Sequence, residues 1–182
     1  MTETLKYTVI KKQNEIELRQ YAEHIKAEVT VEAQNHKLAV EKAFNILAGY
    51  IFGNNVSTQK IAMTTPVTTF KSERIAMTTP VTVSGKDQFT VAFIMPSAYT
   101  ISSLPLPKDE QVRLSRVPAC KMAAIRFNGY FNEEKISRNK EKLSLWLKAE
   151  GLEPEGDFVI AGYSPPWVPG FIARNEVLVR VE

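Results

Sequence analysis

Two stretches of this chain, far apart in sequence, match each other without a gap. "LRQYAEHIKAEVTVEA" at 18–33 and "LSRVPACKMAAIRFNG" at 114–129 set Leu18 against Leu114, Ala27 against Ala123, Val29 against Ile125, Val31 against Phe127 and Ala33 against Gly129. The matches fall on alternate residues, which is the period of a strand with one face on a core. Each run leads into a helical pattern. The first helix is expected over about 37–52, with Asn35 as its N-cap and Gly53 beyond its end. The second is expected over about 133–150. Asn132 can cap it, Glu133 and Glu134 sit at the positive end of its dipole, and Gly151 stops it. Further strands follow each helix, at about 60–69, 74–83 and 88–95 and then at about 157–163 and 175–181. A chain that runs strand pair, helix and returning strands twice predicts an α+β fold with a pseudo-twofold repeat. The expected architecture is a curved antiparallel sheet or distorted β-barrel with two helices. The halves, about 5–95 and 109–182, form a single domain over 1–182. They are joined by "PSAYTISSLPLPK" (96–108), whose three prolines read as a loop or linker.

A chain of 182 residues has room for one ordinary hydrophobic core. With 44% apolar and 24% charged residues it has the balance of a globular protein, and a net charge of +3 is only mildly basic. Its cations are interleaved with acids, as in "NEEKISRNKEK" (132–142), which reads as a solvated helix face and not as a nucleic-acid footprint. The single cysteine, Cys120, excludes an intrachain disulfide and a multi-cysteine zinc cluster. The first twenty residues lack an apolar h-region, and no run approaches 18 apolar residues. A cytoplasmic monomer, with no membrane or nucleic-acid partner, is expected.

A second repeat is shorter and more literal. Ile-Ala-Met-Thr-Thr-Pro-Val-Thr stands at 61–68 and again at 75–82. Ile61, Met63 and Val67 alternate, as do Ile75, Met77 and Val81, so both copies pattern as strands with a buried Met. Pro66 and Pro80 cannot donate a ladder hydrogen bond and must sit at an edge, an end or a bulge. The joining "TFKSER" suits a hairpin turn. Threonine hydroxyls without a base are not nucleophiles, so the repeat carries no catalytic group.

The two helices differ in how much apolar surface they offer. The second has one stripe, Ile136, Leu143, Trp146 and Leu147, enough to dock on a sheet. The first has two adjacent stripes, Ala39/Ala43/Ile46/Tyr50 and Val40/Phe44/Leu47/Ile51. Two readings follow: a more deeply buried helix, or a second stripe that walls an apolar ligand groove. No P-loop, Gly-x-Ser-x-Gly or dinucleotide fingerprint is present. His24 reads as a solvated strand residue on the face opposite Ala27 and Val29, and His36 as a surface or capping residue. Their spacing builds no metal site. Cys120 reads as a small buried hydrophobe. Glu17, Glu28, Glu32, Glu110 and Glu176 lie on or near strands, and one facing inward could bind a cation or act as a base.

The doubled "IAMTTPV", the early "IELRQY" (16–21) and the closing "AGYSPPWVPGFIARNEVLV" (161–179) together resemble the SOUL, or haem-binding protein, family over nearly the whole chain. The fold also resembles GyrI-like small-molecule-binding domains. The first resemblance implies non-enzymatic binding of haem or a related tetrapyrrole in an apolar groove. Such a ligand needs an apolar wall, aromatic faces and cations for its propionates. Phe44, Leu47, Tyr50 and Ile51 would form the wall, Tyr163, Trp167 and Phe171 the aromatic side, and Lys37 would meet a propionate. Some members carry a histidine, proposed as axial ligand, where this chain has Gln20, so binding without a strong axial ligand is expected. Glu41, Gly49 and Val168 stand where haem-binding members place positive residues. The second resemblance implies an alternative: a receptor or hydrolase for another small organic molecule, using an inward glutamate.

Overall fold

The computed structural model describes residues 3–58, 72–130, 132–164 and 168–182. In chain order the elements are β1 (Tyr7–Gln13), β2 (Ile16–Tyr21), β3 (His24–Glu32), α1 (His36–Ile51), β4 (Asn55–Val56), β5 (Val81–Gly85), β6 (Gln88–Ile94), β7 (Leu106–Pro107), β8 (Arg113–Val117), β9 (Cys120–Asn128), α2 (Glu133–Glu150), β10 (Pro154–Gly162), a 3₁₀ turn at Gly170–Ile172, and β11 (Arg174–Val181). Both helices start where the sequence places their caps. The Asn35 side chain accepts from Leu38 N–H and the Asn132 side chain from Lys135 N–H, each at 2.9 Å. Gly151 ends α2 at φ 68°, a left-handed position that costs glycine little.

Nine strands form one antiparallel sheet in the order β1-β2-β9-β11-β10-β5-β6-β3-β8. Apart from the extra β1, the order reads as a pseudo-twofold: β2 with β8, β9 with β3, β11 with β6, and β10 with β5 at the centre. Both helices lie on one face, α1 on β3, β5 and β6, and α2 on β9, β10 and β11. Val29 and Ile125, matched by the sequence repeat, are buried in the same core. The sheet is open. β1 pairs only with β2 and β8 only with β3, so among the described strands the sheet does not close into the barrel that was one of the two expected forms. No described helix is long and apolar enough to cross a membrane.

The long alternating run at 18–33 is two strands, not one. It breaks after Tyr21, and the parts go to opposite halves. β2 pairs with β9, with Leu18 opposite Ala123, while β3 pairs with β6, with Val29 opposite Val91. β8 and β9 repeat the break at Pro118–Ala119, and β8 returns to β3 with Leu114 opposite Ala27. Each half therefore lends its first strand to the other. Alternation reports which face a residue takes, not which neighbour its strand has, so the exchange was invisible in the pattern.

Of the doubled octapeptide, the first copy lies outside the described residues. In the second, Ile75 is buried, Met77 half-buried, and Pro80 directly precedes β5. Only Val81, Thr82 and Val83 of the expected 74–83 strand are in the ladder. They pair with β6 on one side and β10 on the other. The connector at 96–108 is not a free linker either. Leu104 is fully buried, and Leu106–Pro107 pairs with Asn55–Val56.

Candidate functional site

α1 decides one of the two readings of its apolar surplus. Ala39, Ala43, Leu47, Tyr50 and Ile51 are buried, and Val40, Phe44 and Ile46 pack against the same core. The second stripe is covered by chain from elsewhere. Ile75 N–H donates to Ile51 C=O at 2.8 Å, tying the second octapeptide across the end of the helix. Tyr50 Oη donates to Pro105 C=O at 2.8 Å, and the Phe44 ring meets Phe93 edge-on at 5.4 Å. Leu47, Tyr50 and Ile51 have at most 1% of their surface exposed, so they form core and no open wall. Their burial is worth roughly 1.5–3 kcal/mol each, which a ligand would have to replace.

The remaining residues of the expected groove are scattered. Lys37 is exposed beside Glu41, 3.9 Å away. Phe171 is exposed next to Ile172. The Tyr130 ring occupies the space where a side chain on Gly170 would go, so Tyr130, Phe171 and Ile172 together present aromatic and apolar surface. This patch is at the start of α2, which meets the start of α1 through His36. Ile51 is at the other end of α1, about 22 Å away along a 16-residue helix. Trp167 lies outside the described residues. Tyr163 is on the opposite face of the sheet from the helices, in a separate cluster with Tyr21, Cys120 and Leu178.

That second face holds the inward carboxylate. Glu176 on β11 is fully buried. Arg19 on β2 donates to both of its oxygens, at 2.6 and 2.9 Å, and Arg174 donates to Oε1 at 2.7 Å. Arg19 also donates to Glu17, at 2.8 Å, and to Tyr21 Oη at 3.0 Å. Its guanidinium stacks on the Tyr7 ring, and that of Arg174 on the Tyr163 ring, at 4.1 and 4.3 Å to the ring centres. Burial alone would raise the Glu176 pKa, but the hydrogen bonds from Arg19 and Arg174 outweigh it and hold the carboxyl below the ordinary range. Burial pushes the Tyr21 phenol up to about 12, and burial beside Tyr21 and Glu176 raises Tyr163 as well. A carboxylate held ionised by two guanidiniums is a poor base and offers no unspent charge to a cation. The sequence hint was there: Glu17/Arg19 and Arg174/Glu176 are opposite charges two residues apart on one strand face. Which glutamate turns inward depends on strand register, which those spacings do not set.

The histidines occupy different surroundings from those expected. His24 is half-buried, with Nδ1 2.9 Å from Ala22 C=O, and burial lowers its pKa. His36 is buried, where a surface or capping role was expected. Its backbone N–H donates to Glu133 Oε1 at 2.9 Å, and its ring Nδ1 lies 2.8 Å from the same oxygen, joining the starts of the two helices. Cys120 is buried, and burial raises its thiol pKa. Among the described residues no three His, Cys, Asp or Glu side chains converge as a metal-ligand set.

The family model for the SOUL heme-binding protein matches residues 2–180. The chain belongs to the SOUL family. A curated relative of this SOUL chain is heme-binding protein 2 of Mus musculus, 27% identical over 156 residues, covering 83% of this chain and 71% of that protein. Among solved structures, the EcmrR C-terminal domain superposes with a TM-score of 0.66 at 11% identity, over 97% of this chain and 98% of that one. A hydrolase from Listeria innocua gives 0.58 at 12% identity, over 95% and 94%. At such identities these structures share the fold alone, and they agree with the α+β, two-helix, open-sheet architecture of this SOUL domain.

Proposed function

We propose that this SOUL domain binds haem or a closely related tetrapyrrole, non-covalently and without catalysis, on an apolar surface and without a histidine axial ligand. The observation that carries the reading is the family match over 2–180 to a heme-binding description. The geometry supports the finer part. Of the chain's two histidines, His36 is buried and His24 lines the cavities on the face of the sheet away from the helices, so neither is presented at the exposed aromatic surface. A planar apolar ligand fits best against Tyr130, Phe171 and Ile172, where aromatic surface is already exposed. Lys37 follows His36 at the same end of the molecule and is exposed, so it can reach a propionate.

Haemin titration, followed by the Soret band and tryptophan quenching together, tests this. His24→Ala and His36→Ala are each expected to change affinity by less than about tenfold, or about 1.4 kcal/mol. Phe171→Asp, on an exposed residue, is expected to weaken binding by more than tenfold while leaving the melting temperature unchanged. A histidine variant that abolishes binding in a folded protein, with Phe171→Asp near normal, would restore axial ligation and move the ligand elsewhere.

A further inference from the structure

On the face of the sheet away from the helices lie two cavities that the tetrapyrrole reading does not use. One, of about 140 Å³, is walled by Ile94, Met122, Val159 and Leu178. It lies on the pseudo-twofold between the halves. Tyr21 and its repeat partner Val117 both line it, as do Lys26 and its repeat partner Met122. The other, of about 260 Å³, adjoins it, with Leu5, His24 and Ile94 common to both linings. The second octapeptide, unexplained by the haem reading, helps to build both. Thr78 lines the larger, and Pro80 and Thr82 the smaller. The N-terminal segment is strapped to it. Leu5 N–H donates to Thr79 C=O, and Thr79 N–H to Glu3 C=O, both at 2.9 Å, which holds Leu5 at the wall between the cavities.

We propose that the smaller cavity is a binding site for an uncharged, single-ring organic molecule bearing one hydroxyl or carbonyl group, closed on one side by the Glu3–Leu5 strap. The size follows from the volume: an apolar void of about 150 Å³ accommodates a benzene-sized ring. The charge class follows from the lining. No carboxylate is among the lining residues, and the two basic ones are Lys26, paired with Glu28 at 2.6 Å, and His24, whose Nδ1 lies 2.9 Å from Ala22 C=O and whose pKa burial lowers. The nearby Glu176 is spent on Arg19 and Arg174. A cation entering would lose its hydration beside a lysine with no anion to replace it, and an anion would compete with Glu28. A neutral ring meets Met122 and Leu178, while the Thr82 hydroxyl supplies a polar partner for its single oxygen.

The test compares benzyl alcohol with the near-isosteric benzylammonium on the intact chain, observing methionine methyl groups by NMR. Benzyl alcohol is expected to shift the Met122 methyl with a Kd on the order of 1 mM, and benzylammonium to bind at least tenfold more weakly. Thr82→Trp, which fills the cavity from a half-buried position, is expected to abolish the Met122 shift with the melting temperature preserved. Hydrogen exchange at the Leu5 amide is expected to slow when benzyl alcohol is bound. Benzylammonium binding as tightly as the alcohol would overturn the charge argument. A Met122 shift that persists in folded Thr82→Trp, or that never appears at about 10 mM ligand, would overturn the site. Unchanged Leu5 exchange would remove the strap from it. None of these outcomes bears on haemin, so this site and the tetrapyrrole reading stand or fall separately.

Discussion

Replacing Glu176 with glutamine keeps the shape of the side chain and removes its charge. The cost can be reasoned from the pairing. Arg19 has 3% of its side chain exposed and would be left facing a neutral amide. Breaking a buried ion pair from one side costs about 3–5 kcal/mol, chiefly because the surviving charge is uncompensated. Two features favour the lower end. Glu17 remains 2.8 Å from Arg19, and Arg174, a third exposed, can turn to water. We therefore expect about 3 kcal/mol for Glu176→Gln. At about 2–4 °C per kcal/mol for a chain of this size, the melting temperature should fall by roughly 6–12 °C. Thermal and urea unfolding followed by circular dichroism would read it, with the urea midpoint moving and the slope unchanged. The double variant Arg19→Met/Glu176→Leu removes both charges and is expected to be less destabilised than Glu176→Gln alone. A Glu176→Gln protein melting within about 2 °C of the parent would refute the reasoning, since that is less than 1 kcal/mol. A double variant clearly worse than the single one would refute it too.

Other expectations follow from the same geometry. The folded-state pKa of Glu176 is depressed, so its contribution is present above the ordinary carboxylate pKa of about 4.3 and is lost as pH falls through the folded value; Glu176→Gln should show a shallower acid limb in urea midpoints taken at successive pH values. Burial also lowers the pKa of His24. There the unfolded chain takes up the proton first, so stability declines below about pH 6.5 and His24→Gln should flatten the profile between about pH 7 and 5. Glu133→Gln weakens the junction of the two helix starts and should cost about 1 kcal/mol, read as a melting shift of roughly 2–4 °C. Gly151→Ala has open space for the methyl group but must hold φ 68°, so about 1–2 kcal/mol should be lost in chemical denaturation with no change in fold.

What the sequence determined by itself was local or periodic. Asn35, Asn132 and Gly151 announced the ends of α1 and α2, because caps depend on a few neighbouring backbone groups. Alternation put Ala27, Val29, Ala123 and Ile125 on a common core face, because side-chain direction along a strand is set by the pleat. The gapless match of 18–33 with 114–129 announced two equivalent halves. The tertiary structure alone decided whatever depended on partners distant in the chain. It sent β2 and β8 across to the opposite half and left the sheet open, because a strand's period says nothing about its neighbour. It covered the surplus face of α1 with Ile75 and the 104–105 segment, so that Leu47, Tyr50 and Ile51 became core. It also selected Glu176 from five candidate glutamates and matched it to Arg19, 157 residues away. Such a pairing rests on the β2–β9–β11 register, in which one residue of slip would turn the carboxylate into the apolar core.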